Sequence, residues 1–504
     1  MALSILDIFE KPQTGENEIF KNHPVIILSL ITLLAATIRI YFFTGLVFSD
    51  DGYYDQLGYM ILKGEDIRNF IGYPIFILRK LDIIYTAISY SIFGTNETAS
   101  VLPVFLFSIA NIIVIYFIAL ELSLNKFIAL LSAFLLCFFP VDIFFATVHF
   151  TDLPASFFIN SGVYFLLKSY RTGRILPVVS SGVLLLSSFF IKESVIFILT
   201  LILIIWTYFI VFKKINLIQI PVTLLLFTAG IIAESVYYGL TQGDYFFRFA
   251  MQNRNYIQCY YNYFPYVRDI HTIEFSEYMK RLIKFISENC VRFVFLRRYY
   301  LFTPLIAAVQ SIILLKEHRE LKLITWFAGL ILLSIFMTTS LTSYRPLELN
   351  KNWYVYIYLT PTLLLTAVFI SRLKAKYKIA AIILYITGSI LMVKAYSTFF
   401  ELDRYNEIKH FVRMNSTKVL YADHHNKYNI DLILGYRDPS KIKIYTGSSF
   451  NFDNVNPGEL VFVKPATLFV LELEGYKYTD MSILKSGRFK LLFNNKMAQV
   501  YEKK

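Results

Sequence analysis

Long apolar runs alternate with short polar stretches over most of the chain. Each run is about 20 residues long, which is the length that an α-helix needs to cross the hydrocarbon of a bilayer. The pattern predicts a polytopic α-helical membrane protein with about eleven transmembrane helices, or up to thirteen because several runs are short or closely spaced. The predicted spans are residues 24–46, 100–120, 127–146, 153–168, 175–191, 194–212, 217–238, 299–315, 322–340, 353–370 and 379–397.

The pattern changes after residue 398. Residues 399–504 are charged and rich in turns, and short β-type runs alternate there with helical stretches near 402–413 and 426–435. The β-type runs are Lys418–Tyr421, Ile442–Tyr445, Leu460–Val463 and Lys490–Phe493. We therefore predict two units, a membrane module at 1–398 and a soluble α/β domain at 399–504.

Two of the predicted outer loops are much longer than the others. The first, at 47–99, contains an apolar stretch at 73–93 that charged residues interrupt, which favours helices lying on the membrane over a further span. The interrupting residues are Arg79, Lys80 and Asp82. The second loop, at 239–298, contains an amphipathic helical pattern near 276–289.

Composition and charge agree with a membrane protein. A hydrophobic content of 56% and a mean hydropathy of +0.54 exclude a soluble globular chain. The net charge of +13 does not indicate nucleic-acid binding, because thirteen Lys and Arg lie in the short loops of one side and three in those of the other. This bias predicts a multi-pass plasma-membrane protein with a cytoplasmic N-terminus and an extracytoplasmic C-terminal domain. We expect no cleavable signal peptide, because the first apolar run is too long for one.

Two adjacent carboxylates stand where the chain leaves the first span. Asp50 and Asp51 precede an amphipathic helical pattern that begins at Gly52. Ionisable groups at a membrane boundary are costly to keep and are candidates for function. The alternative is a simple helix start, since Asp is a favoured N-cap residue.

Further ionisable residues gather at the predicted outer face, whereas the cytoplasmic loops carry scattered cations that membrane topology explains. The outer set is Arg39, Asp50, Asp51, Asp55, His149, Asp152, Lys192, Glu193, Arg345, Glu348 and Lys351. Cations can hold a phosphate by charge-assisted hydrogen bonds, and a carboxylate can remove a proton. The set therefore suits a reaction on an anionic, lipid-anchored substrate.

The order of these residues resembles the polytopic GT-C glycosyltransferases that use polyprenyl-phosphate sugars, in the group of protein O-mannosyltransferases and lipid A aminoarabinose transferases (glycosyltransferase family 39-like). The matching residues are Arg39, Asp50, Asp51, Tyr54, the stretch from Gly58 to Gly64, Ile92 to Gly94, Leu102, Pro103, Asp152, Lys192 and the stretch from Tyr354 to Pro361. The resemblance covers residues 30–370. It implies transfer of a monosaccharide from a dolichyl or undecaprenyl phosphate, such as dolichyl phosphate mannose, with inversion at the anomeric carbon. The implied acceptor is a protein, lipid or glycan of the cell envelope.

The resemblance also implies roles for single residues. Asp50 is our choice for the general base, with Asp51 as the second candidate, because the family often has Asp-Glu where this chain has Asp-Asp. The implied substrate- and phosphate-binding residues are Arg39, Tyr54, Asp152, Lys192, Arg345 and Lys351. The expected partners are the lipid-linked donor, membrane lipids and the acceptor, and no cofactor is required.

Several alternatives remain open. His149 with Asp152 is a weak candidate for a divalent-metal site, whereas Asp423, His424 and His425 resemble metal ligands only superficially and are expected in a solvated loop. Cys259 and Cys290 share one outer loop and could pair or remain free. The rival function is a transporter or flippase of a lipid-linked or anionic substrate, which should place ionisable residues near the middle of several spans.

Overall fold

The computed structural model describes residues 22–213, 217–254, 275–336, 347, 351–445, 451–467 and 481–504. Each of the eleven predicted spans contains a helix over much of its described length, which confirms the polytopic helical fold class. These helices are α1 (Pro24–Tyr41), α4 (Glu97–Glu121), α5 (Lys126–Cys137), α7 (Asp152–Thr172), α8 (Ile175–Phe189), α9 (Val195–Tyr208), α10 (Gln219–Gln242), α12 (Thr303–Lys316), α13 (Leu321–Phe336), α14 (Leu359–Ser371) and α15 (Ala375–Phe399).

Five helices within the described ranges are long and apolar enough to cross a membrane by length and composition. They are α1, α4, α9 with its five-residue π-helical extension, α10 and α15. Their outward faces carry large apolar side chains, such as Leu33 (65% exposed) and Leu384 (71% exposed). Apolar side chains are compatible with lipid, and a helix also satisfies its own backbone hydrogen bonds there.

The centre of the bundle is formed by α4, α5, α7 and α14. α7 packs against α4 and α8, and α14 packs against α5 and α12. α14 is buried along nearly its whole length. The core is closely packed, with Ile112, Leu135 and Leu363 fully buried.

The third predicted span, 127–146, is not one continuous helix. α5 ends at Cys137, and a short helix, α6 (Pro140–Phe145), follows it. Pro140 cannot donate a backbone hydrogen bond to a continuing helix, but it is favoured in the first turn of a new one. The break turns Asp142 into the protein interior, where it is fully buried.

The first outer loop folds into two helices, α2 (Asp51–Lys63) and α3 (Lys80–Phe93), joined by short 3₁₀ turns. α2 packs against α3 and also against the C-terminal domain. In the second long loop, α11 (Phe275–Phe285) continues into a π-helical stretch, Ile286–Phe295, which together cover the predicted amphipathic helix. Cys259 lies outside the described residues, so its pairing with Cys290 stays a prediction.

The C-terminal segment forms a five-stranded mixed sheet with the order β2-β1-β3-β5-β4. Its strands are β1 (Leu420–Ala422), β2 (Ile442–Ile444), β3 (Leu460–Val463), β4 (Phe489–Asn494) and β5 (Gln499–Lys503). β1 pairs in parallel with β2 and β3, whereas β5 is antiparallel to β3 and β4. The sequence analysis missed β5 because charged residues dilute its apolar alternation.

The described residues of this domain also form two α-helices, α16 (Leu402–Met414) and α17 (His424–Ile433). The expectation of a solvated loop at Asp423–His425 is wrong, because these residues begin α17 and are buried. The Asp423 carboxylate caps the helix by accepting from the Asn426 backbone N–H at 2.8 Å. Burial follows from the close approach of α17 to α2, where a Cβ at Gly52 would lie 2.7 Å from the Asn429 side chain.

Candidate active site

Asp50 lies in the turn between α1 and α2, directly before the first residue of α2. Its backbone carbonyl accepts from the N–H groups of Tyr53 and Tyr54, at 3.1 and 3.3 Å. Its side chain makes no capping hydrogen bond to the described first turn of α2. The simple helix-cap alternative therefore does not account for the Asp50 carboxylate, which is only partly buried.

Three cations from separate parts of the chain act on Asp50 through their charge. Burial raises the pKa of the Asp50 carboxyl, and the charges of Arg79, Lys351 and Lys192 lower it, while Asp152 raises it further. None of the ion pairs among the described residues includes Asp50. Within the described part of the chain, the Asp50 carboxylate is therefore influenced by positive charge without a direct ion-pair partner.

Lys192 and Asp152 form the closest ion pair of this group. The Lys192 ammonium donates to both carboxylate oxygens of Asp152, at 2.7 and 2.6 Å, and lies 5.2 Å from the centre of the Tyr354 ring. Burial lowers the pKa of Lys192, although Asp152 opposes this. The predicted matches in the second and third short outer loops and in the stretch from Tyr354 therefore meet at one place.

Arg79 belongs to this group of charges, although the sequence pattern did not mark it as a candidate site residue. It lies between the 3₁₀ turn Pro74–Leu78 and α3, with its guanidinium 5.4 Å from the Tyr54 ring centre and 3.3 Å from the Thr151 hydroxyl. The signal was available, since Arg79 interrupts an otherwise apolar stretch, but that interruption was attributed to the membrane surface. The Tyr54 ring and the Thr151 hydroxyl hold this cation beside Asp50.

Asp51 is placed differently from Asp50. Its carboxylate is fully buried and accepts from the backbone N–H groups of Val47 (2.6 Å), Ser49 (2.6 Å) and Gly52 (3.1 Å). Burial raises its pKa to about 6, against the lowering effect of these hydrogen bonds. The geometry suits a residue that shapes the turn carrying Asp50.

His149 joins a buried network below Tyr54, whose ring centre lies 5.3 Å from the imidazole. Nδ1 of His149 is 2.7 Å from Asp55, and Nε2 is 3.2 Å from Asp82. Burial alone would lower the pKa of His149, but the two carboxylates raise it to about 10. The imidazole is therefore protonated at neutral pH and bridges two carboxylates.

This arrangement bears on the weak metal candidates, His149 and Asp152. Both ring nitrogens of His149 face carboxylates, and both oxygens of Asp152 face Lys192. Among the described residues, no group of three or more His, Cys, Asp or Glu side chains is placed to hold a metal ion.

The remaining predicted residues are distributed as follows. Arg39 is fully buried and forms an ion pair with Asp142 at 2.6 Å, while its Nε donates to Ser108 at 2.7 Å. Its charge is neutralised there by Asp142. The charge of Lys351 lowers the pKa of Asp50, and its ammonium lies 5.8 Å from the Trp353 ring centre. Arg345 lies outside the described residues.

Comparison with known proteins identifies solved structures with a similar fold. No family model and no curated protein matches this sequence. Among solved structures, the Archaeoglobus fulgidus oligosaccharyltransferase in the apo form matches with a TM-score of 0.53 and 11% identity over 83% of this chain and 65% of that one. This chain thus spans less than two thirds of that enzyme. The archaeal oligosaccharyltransferase AglB from the same organism, in complex with an inhibitory peptide and a dolichol-phosphate, matches with a TM-score of 0.51 and 13% identity, covering 83% and 64%.

A second kind of neighbour matches over nearly its full length. ArnT from Cupriavidus metallidurans bound to undecaprenyl phosphate has a TM-score of 0.52 and 12% identity, covering 95% of this chain and 97% of that one. The chain therefore shares its fold with these solved structures, and this is the fold that the sequence resemblance implies.

Proposed function

We propose that this protein is an inverting membrane glycosyltransferase that moves a monosaccharide from a polyprenyl phosphate to an extracytoplasmic acceptor. The observation that carries the proposal is the partly buried Asp50 carboxylate, on which the positive charges of Arg79, Lys192 and Lys351 act. A similar fold holds a polyprenyl phosphate in ArnT. The distribution of Lys and Arg in the loops supports the extracytoplasmic placement.

In the proposed reaction, an acceptor hydroxyl or amine attacks the anomeric carbon of the sugar. The bond from that carbon to the phosphate oxygen breaks, and its electron pair leaves with the polyprenyl phosphate. Asp50 takes the acceptor's proton, a contribution of about 10²–10⁴-fold to the rate. The leaving phosphate gains charge in this step, and Arg79, Lys192 and Lys351 stabilise that charge in the poorly solvated site.

Asp152 and Asp51 have supporting parts in this proposal. Asp152 holds the Lys192 ammonium in place until a phosphate competes for it. Asp51 fixes the backbone of the turn so that Asp50 keeps its position. Arg39 acts from inside the bundle, where its pair with Asp142 joins α1 to α6.

The test uses purified protein in lipid vesicles with a panel of polyprenyl-phosphate sugars. We expect transfer or donor hydrolysis with one of the donors, loss of that activity in Asp50→Asn, and near wild-type activity in Asp403→Asn, a control at an exposed position on α16. Full activity in Asp50→Asn would contradict the role of the base. Movement of labelled lipid across the vesicle without any transfer would support the rival flippase function.

A further inference from the structure

The turn that carries Asp50 is built into the C-terminal domain. Leu46 and Phe48 belong to the same buried hydrophobic cluster as Tyr405, Leu420 and Leu460. The Phe48 ring stacks on Tyr405, with centroids 5.2 Å apart and an angle of 6° between the ring planes. Part of the core of this domain is therefore supplied by the first outer loop.

Phe48 has a left-handed backbone, with φ of 53°. This conformation is unfavourable for a residue with a Cβ and persists only where the surroundings determine it. The Phe48 carbonyl accepts from the Lys464 ammonium at 3.0 Å and lies 3.3 Å from His425 Nε2. Both Lys464 and His425 belong to the C-terminal domain, and Phe48 lies two residues before Asp50 in the chain.

Lys464 is buried, although lysine is rarely buried without a reason. Burial lowers its pKa to about 8, while Asp51 and Asp423 oppose the shift. The ammonium is also 3.4 Å from the Tyr405 hydroxyl. The Lys464 ammonium therefore links the Phe48 carbonyl of the turn to the Tyr405 hydroxyl of α16, and its charge interacts with Asp51 and Asp423.

A second connection holds the turn at Leu46, two residues before Phe48. The Leu46 backbone N–H donates to Glu97 Oε1 at 2.7 Å, and Lys409 of α16 forms an ion pair with the same oxygen. The backbone that leads to Asp50 is therefore held at two points, directly at Phe48 and through Glu97 at Leu46, by contacts with the C-terminal domain.

We infer that the C-terminal domain positions the general base, with Lys464 as the positioning residue that holds the Phe48 carbonyl and so the turn to Asp50. The inference rests on the proposed function. It gives residues 399–504 a part in catalysis. Loss of Lys464 should leave donor binding intact, because the cations near Asp50 come from other elements, and should let the turn open.

The test compares Lys464→Met with Lys418→Met in the full chain in lipid. Lys418 is a matched control, because it lies in the same domain and pairs with Glu502. We expect Lys464→Met to lower kcat at least tenfold with donor Kd within twofold, Lys464→Arg to recover part of kcat, and Lys418→Met to stay within twofold of wild type. Wild-type kcat in Lys464→Met, with activity lost in Asp50→Asn, would overturn the inference and leave the proposed function standing.

Amide hydrogen exchange gives a readout that does not depend on turnover. We expect exchange of residues 46–52 to accelerate at least tenfold in Lys464→Met and to stay unchanged in Lys418→Met, even if no donor in the panel is used. Unchanged exchange in Lys464→Met would overturn the inference. If Lys464→Met does not fold, Tyr405→Leu removes the stacking on Phe48 and should accelerate exchange of the same segment, with the same contrary result.

Discussion

Two groups of carboxylates near the predicted outer face differ in how their charge is balanced. Asp55 and Asp82 bind one protonated imidazole, His149, at hydrogen-bond distance from both ring nitrogens. Asp50 is partly exposed and has cations near it but none in a direct ion pair within the described chain. The first arrangement joins helices, whereas the second leaves a carboxylate that can accept a proton and cations that can bind an anion.

Asp50 and Asp51 are adjacent in the chain but differ in burial and in hydrogen bonding, so substitutions at the two positions should have different effects. We expect Asp50→Asn to lower kcat by about 10²–10⁴-fold, since it removes the base, with an unchanged melting temperature. Asp51→Asn should lower the melting temperature, because an amide nitrogen would face a backbone N–H in a buried position. Transfer assays and thermal unfolding in detergent separate the two. Loss of transfer only in Asp51→Asn, at a wild-type melting temperature, would reverse the two roles.

The His149 cluster should respond in stability. We expect His149→Leu to lower the free energy of unfolding by about 3–5 kcal/mol, because it leaves two buried carboxylates without their cation. Asp82→Asn in the same chain should recover part of the loss. An unchanged melting temperature in His149→Leu would show that the cluster is not a structural junction.

The same cluster sets a pH dependence for stability. The folded pKa of His149, about 10, lies above its ordinary value of 6.5. Its stabilising contribution is therefore complete below pH 6.5 and is lost as the pH rises through 10. The melting temperature of the wild type should fall over this range more steeply than that of His149→Leu.

Arg79 should affect the donor. We expect Arg79→Met to weaken binding of a polyprenyl phosphate by about ten- to a hundredfold, the usual contribution of a hydrogen bond to a charged group. Equilibrium binding of the lipid phosphate measures this directly. Wild-type affinity in Arg79→Met would exclude a phosphate contact by this residue.

An exposed ion pair should have the smallest effect. Arg488 and Asp453 are about half exposed and lie 2.6 Å apart. We expect Arg488→Ala to change the free energy of unfolding by less than about 1 kcal/mol, because solvent screens such pairs, and to leave transfer unchanged. A larger loss of stability would mean that direct pairing at the surface matters as much as it does in the His149 cluster.

Much of the fold could be predicted from the sequence, because the length of an apolar run determines whether a helix can cross a bilayer. The C-terminal strands β1 to β4 were also visible as short β-type runs. The broken span at Phe139–Pro140 was not, because hydropathy averages over a proline. The burial of Asp423–His425 depends on packing between distant segments, which local sequence does not report.

The candidate site was predicted in part. Asp50, Lys192, Asp152 and Lys351 were selected because each lies where a predicted span meets a predicted outer loop, and their roles stay predictions. Arg79 was missed as a site residue and Arg39 proves to be paired inside the bundle, because hydropathy does not show which way a charged side chain turns. The same limit applied to His149, whose carboxylate partners lie on other helices.

The proposed reaction depends on an ionised Asp50 carboxylate that accepts a proton. Burial raises the pKa of this carboxyl, and the nearby cations oppose that increase. The most direct measurement is the pH dependence of kcat/KM in wild type and Arg79→Met. Burial raises the pKa of Asp50 above the ordinary 3.8, so transfer should fall as the pH drops through that raised value. Arg79→Met removes one lowering charge and leaves Lys351, Lys192 and Asp152 in place, so the acid limb should move to higher pH. An acid limb that stays in place in Arg79→Met, or that persists in Asp50→Asn, would contradict the claim.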